Sequence, residues 1–273
     1  MRRRQLVLAA AAAMALLIGS GAGLASAQAG TRTADPGAAL PAACQPGTGT
    51  PKQISTAKLI IEYNAKNQDF GVHGAFDDTS WKELCVKDPT GKPVLVVEPK
   101  NALGALTMAG IFFESREPPV ADYSFEKLKK DFPVGDYVVR GTTFEGKELF
   151  GAAKFTHDVP AAPVIRSPRL AAEAEQILAP VRRNVVVKWE EVDKTIDGRA
   201  VNITGYQVIV TKVATDDPNG FSRPMYDVHV PAGVHSLTVP PEFFERNTTY
   251  ELEVLALEVS GNQTISLGFF KTR

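Results

Sequence analysis

The stretch 250–256 constrains this chain most. Tyr250, Leu252, Val254 and Ala256 alternate with Glu251, Glu253 and Leu255. Period-two alternation sends one set toward a core and the other to the opposite face, a period that belongs to a β-strand. The tyrosine opens that strand directly after a turn-rich segment, 240–249 (PPEFFERNTT). That is the position of a corner residue, with its ring buried and its hydroxyl tied to nearby backbone.

Similar short strands with turn signals between them recur upstream. Leu59, Ile61 and Tyr63 share one face of 57–63, and further strands are expected at 71–76, 81–86 and 93–98. Asp77-Asp78-Thr79-Ser80 and Asp88-Pro89-Thr90-Gly91 have turn composition, because Pro presets φ and Gly supplies positive φ. In 106–114 (LTMAGIFFE) strand and helix cannot be separated by pattern, and a strand is expected. A hairpin is expected over 135–141 and 148–155, turning at Glu145-Gly146. One short helix is expected over 124–131, with Ser124 as N-cap, Phe125 and Leu128 on its apolar stripe, and Pro133 as its stop. A second helical insertion is expected over 170–178 (LAAEAEQIL).

The N-terminus has the pattern of a leader. Arg2, Arg3 and Arg4 precede a thirteen-residue apolar run at 6–18, too short to cross a ~30 Å hydrocarbon core. Ala25-Ser26-Ala27 offers a cleavage site, so the mature chain is expected to start at Gln28 in a secreted or periplasmic setting, with no membrane span. Losing three arginines and no acids moves the formal charge from −1 to −4. A mildly acidic chain without a basic cluster argues against nucleic acid as partner. Residues 28–53, rich in Ala, Gly, Pro and Thr, are expected to be a flexible spacer. The domain boundary is expected at Pro160-Ala161-Ala162-Pro163, between a sandwich at 54–160 and a second domain at 161–273.

The second domain resembles the fibronectin type III family. Val185, Val187 and Trp189 look like its second strand, and Tyr206, Val208 and Val210 like the inward residues of its third. The segments 237–240 and 250–258 with Gly261 match the late strands; Phe243 or Phe244 takes the place of the family's turn leucine. The run 132–141 (FPVGDYVVRG) resembles the penultimate strand of immunoglobulin-like bacterial domains. The resemblances imply an all-β chain of two tandem β-sandwiches, used for recognition, adhesion or spacing, with no catalytic residues and no cofactor. Function then resides in sites grafted on the fold.

Several residues are candidates for such sites. If Tyr250, Leu252, Val254 and Ala256 face inward, Ile209, Leu255 and Leu257 face outward and form a partner face, unless the first domain or the 170–178 insertion covers them. Glu62, Asn64, Asp69, Asp77 and Asp78 fall around two early loops and are candidate calcium ligands; solvated turn residues are the alternative. His73, His157, His229 and His235 show no zinc-ligand spacing, and no Gly-x-Ser-x-Gly elbow is present. Cys44 and Cys85 form the only available disulfide pair. Cys85 is out of phase with Leu84 and Val86, so a bridge would staple the spacer to the outside of the first domain; the alternative is a buried Cys85 with Cys44 free. Asn202, Asn247 and Asn262 head sequons but are expected to be turn residues. The expected function is a non-catalytic binding, adhesion or structural protein of a bacterial envelope, its partner a protein or a glycan. The alternatives are a carbohydrate- or polymer-binding accessory, for which Trp81, Tyr123 and Tyr137 are the aromatics at hand, and a small hydrolase.

Overall fold

The computed structural model describes residues 42–45, 50–177, 179–213 and 225–273. The expected leader, most of the expected spacer, and Leu178 at the end of the expected insertion lie outside the described residues. Strands β1 (Lys52–Gln53), β2 (Thr56–Asn64), β3 (Asp69–Trp81), β4 (Glu83–Lys87) and β5 (Pro93–Val97) lead to a short helix, α1 (Asn101–Leu106). Then come β6 (Met108–Glu114), helix α2 (Phe125–Asp131), β7 (Gly135–Thr142) and β8 (Glu148–Phe155). The C-terminal part contributes β9 (Ile165–Ser167), β10 (Val186–Trp189), β11 (Ile203–Lys212), β12 (Met225–Pro231), β13 (Ser236–Thr238), β14 (Thr249–Glu258) and β15 (Gln263–Lys271).

These strands form three sheets: β1-β8-β7-β4-β5, β13-β10-β9, and a seven-stranded sheet β12-β11-β14-β15-β2-β3-β6. The fold is all-β, two sandwiches in series. The first closes the five-stranded sheet over β2 and β3, around Ile61, Phe76, Trp81, Leu84, Tyr137, Leu149 and Phe155. The second closes the three-stranded sheet over β11 and β14, around Val187, Trp189, Tyr206, Val208, Tyr250, Leu252 and Val254. Tyr250 is tied as its corner position demands, and Tyr137 in the first sandwich is tied in a similar way. The Glu245 N–H donates to the Tyr250 hydroxyl at 2.8 Å, and the Tyr137 hydroxyl donates to the Pro133 carbonyl at 3.2 Å. Phe244, buried beside Tyr250 at 5.0 Å between ring centres, fills the turn.

The seven-stranded sheet passes from one sandwich to the other. β15 pairs with β2 in parallel, Gln263 opposite Glu62 and Ile265 opposite Asn64. Asn262 locks the junction: its Oδ1 accepts from the Ile61 N–H at 2.8 Å, and its Nδ2 donates to Thr156 Oγ1 at 2.9 Å. The proline-flanked boundary is itself paired, with the Ala161 N–H on the Lys194 carbonyl and the Ile196 N–H on that of Val159. Pro41–Arg273 accordingly form one compact unit.

Two expectations about local structure are corrected. Residues 77–80 are part of β3, which runs on to Trp81 through an irregularity rather than a turn. The 170–178 segment has helix-forming composition, but Ala171 pairs with Phe269 on the edge of β15, and among its described residues only a three-residue turn, Ala174–Gln176, is helical. A sheet edge offering backbone partners outweighs a propensity of tenths of a kcal/mol per residue.

Candidate functional site

The alternation that sends Leu59 and Ile61 of β2 into the first core turns Glu62 to the reverse face of the long sheet. On β3, Gly71 and His73 share that reverse face opposite Phe70 and Val72. Register sets Glu62 directly across from Gly71, which leaves His73 one diagonal step away, within reach of long side chains. Because Gly71 has no side chain, the space above it is free for Glu117. A Cβ there would lie 2.5 Å from Glu117 Oε1 and 2.9 Å from His73 Nε2.

Glu117 arrives on the segment 115–123, which leaves β6 but stays tied to β3. The Ser115 N–H donates to the Val72 carbonyl at 3.0 Å, the Val72 N–H to Ser115 Oγ at 2.9 Å, and the Val120 N–H to the Gln68 carbonyl at 2.7 Å. His73 Nε2 and Glu117 Oε1 share a 3.0 Å hydrogen bond. His73 Nδ1 lies 3.8 Å from Glu62 Oε2, and although buried it has no hydrogen-bond partner. The Gln263 amide, reaching over from β15, donates to Glu62 Oε2.

Negative charge accumulates here. Burial pushes the Glu62 carboxyl up to about 7, while His73 beside it pulls the other way. Burial opposes a charge on His73, but its bond to Glu117 and the carboxylates of Glu62 and Glu114 hold it above its ordinary value. Asp69 is pushed up to about 6, by burial first and then by the charge of Glu117. One ligand atom each from Glu62, His73 and Glu117 lies within 4.8 Å of the others. Two carboxylates and an imidazole in such a group can share protons or hold a divalent cation.

Of the acidic residues grouped from the sequence, only Glu62 enters this cluster. Asp69 opens β3 opposite Asn64, its Oδ1 buried and unpartnered. Asp77 and Asp78 sit near the other end of β3, roughly 26 Å along the strand from Asp69 at ~3.3 Å per residue. The Asp78 carboxylate is already saturated, by Lys52 Nζ, the Ser55 N–H at 3.0 Å and the Thr79 N–H at 2.6 Å. The expected loop site is therefore split by a continuous strand.

The expected partner face is also corrected. Ile209 is 2% exposed and Leu255 0%, both on central strands, Ile209 between Asp227 and Glu253, and Leu255 between Gln207 and Ile265. Leu257 alone is partly exposed. Cys44 and Cys85 are joined in a disulfide, Cα atoms 5.1 Å apart. Cys85 points away from the first core and forms a satellite cluster with Ala43 and Cys44. Asn262 is buried and bonded, so that sequon is closed. His157 bonds the Phe132 carbonyl at 2.8 Å, His235 packs on Trp189 and Tyr206, and His229 lies on β12 opposite Gln207.

His73 and Glu117 do not stand out as a pair in the sequence. Pairing 57–63 with 71–76 in the observed register puts Glu62 and His73 on one face; no local signal announces Glu117.

No protein-family model and no curated protein matches the chain. Among solved structures it is similar to the spore cortex lytic enzyme SleM of Clostridium perfringens, at 11% identity and a TM-score of 0.26 over 41% of this chain and 28% of that one. It is also similar to the chicken CNTN1 FN1-FN3 domains, at 12% identity and 0.29 over 82% and 68%, and to a two fibronectin type-III domain segment from chicken tenascin, at 10% and 0.28 over 79% and 99%. The chain spans little more than a quarter of the length of the first. Likenesses this weak say nothing about function.

Proposed function

We propose that this chain is an exported, non-catalytic binding or adhesion protein of a bacterial envelope or secretome, built as one rigid two-sandwich body. Its partner surface is the rim formed by β5, α1 and β6. One observation supports this most: Val94, Val96, Leu103, Leu106 and Phe112 are exposed on three consecutive elements, and β5 and β6 each form a sheet edge. An open edge can take an added strand from a partner, and apolar side chains exposed in succession mark interaction sites. The polymer-binding alternative loses two of its three aromatics, because Trp81 and Tyr137 are fully buried.

The test is retention of the full mature chain on immobilised envelope extract, with and without protease treatment of the extract. Wild type should be retained on the untreated extract only. A Leu103→Ser, Leu106→Ser variant, unchanged in melting temperature, should lose at least tenfold in retention. Equal retention of the variant, or binding that survives protease and appears on a glycan array, would overturn the reading.

A further inference from the structure

We propose that Glu62, His73 and Glu117 form a site for one divalent transition cation of the zinc class. Three observations point to a ligand rather than to an ordinary polar contact. The ligand atoms lie within 4.8 Å of one another, so a side-chain movement of about an ångström would bring them to the ~3.5 Å that a tetrahedral cation with ligands at ~2.0–2.2 Å imposes on its donors. His73, with its side chain 3% exposed, turns an unpartnered Nδ1 toward the Glu62 carboxylate, and a cation held there draws the Glu117 carboxylate across from its present bond to Nε2. And the cluster exists only because Gly71 gives up the volume of a side chain to Glu117.

The donor set selects the ion. One imidazole nitrogen with two carboxylate oxygens suits zinc and its neighbours, whereas calcium takes six to eight oxygens. The ligands are also oriented from outside the site, as metal ligands generally are. Gln263 fixes Glu62, and the Ser115–Val72 bonds fix the segment carrying Glu117. Glu117, 24% exposed, leaves an approach for the ion from solvent. Bound there, a cation would fasten 115–123 to β2 and β3 and reinforce the seam that Gln263 makes with the second sandwich. Phe112 of the β5–α1–β6 rim packs edge-on against His73, 6.0 Å between ring centres, but the rim is tested at Leu103 and Leu106 and the metal site at Glu117 and His73, so each can fail without the other.

Titration of the chelator-treated full mature chain with Zn2+ by calorimetry tests this, with Co2+ absorption as a second readout and Ca2+ as a competitor. The expected result is one equivalent of Zn2+ bound, a raised melting temperature, and no displacement by millimolar Ca2+. Glu117→Gln keeps a hydrogen-bonding group at a partly exposed position, and His73→Gln replaces the imidazole. Each should cost more than the ten- to hundredfold typical of an outer-shell partner. If either variant fails to fold, the Co2+ spectrum of the wild type decides, since nitrogen-and-oxygen coordination at a fixed site gives an absorption that loose surface binding does not. No saturable Zn2+ binding, or equal binding by both folded variants, would overturn the site.

Discussion

Glu253 shows what one residue's surroundings can dictate. It lies mid-strand on β14 with Oε2 buried and unpartnered, and burial, then Glu251 beside it, holds its carboxyl well above the usual range. The folded chain therefore keeps a proton that the unfolded chain releases. Stability falls as pH rises from the ordinary carboxylate range toward the folded value. Glu253→Gln should be more stable than wild type at pH 8, and its melting temperature should vary less between pH 5 and 8. Asp78 has the opposite sign. Burial alone would raise it, but Lys52, Thr79 and Ser55 outweigh that and hold it down to about 2. Its contribution is complete above the unfolded value near 4 and is lost as pH falls toward 2. Asp78→Asn should lower the melting temperature at pH 7 and converge with wild type near pH 2. Neither environment is legible from sequence, where both residues are simply acids in alternating or turn-like stretches; the tie to Lys52 depends on where β1 ends up.

At the level of strands and turns, alternation is a good guide to which residues share a face and a poor one to what lies over that face. Tyr250, Leu252, Val254 and Ala256 all point into the second core, and Leu255 faces away from it, as period two requires. Yet Leu255 is fully buried while Leu257, two residues along the same face, is not. Leu255→Ser should therefore cost about 2–5 kcal/mol in urea unfolding, the range for truncating a buried leucine. Leu257→Ser should cost about 1 kcal/mol or less. Comparable effects from the two would contradict the burial difference. The hairpin of β7 and β8 is legible because its turn chemistry is local: Gly146 sits at φ +82°, where a glycine is favoured. The continuation of β3 through 77–80 is not, because its partner strand β6 begins only at Met108, well beyond the end of β3 at Trp81.

The whole molecule turns on the parallel pairing of β15 with β2, strands that meet from opposite ends of the chain. The sequence resemblances imply two sandwiches in tandem, with a proline-flanked boundary between them. Nothing local tells which edge of one sandwich meets which edge of the other. The sign of their union lies in Asn262, a turn residue in sequence and a buried latch in the fold. Asn262→Ala leaves the Ile61 N–H buried without a partner, at a cost of about 1–3 kcal/mol. Scanning calorimetry of the full chain asks whether the two sandwiches unfold as one body. A shared sheet predicts one transition whose calorimetric and van't Hoff enthalpies agree. Two separable transitions, with Asn262→Ala shifting neither toward the other, would show that the shared sheet does not couple the sandwiches.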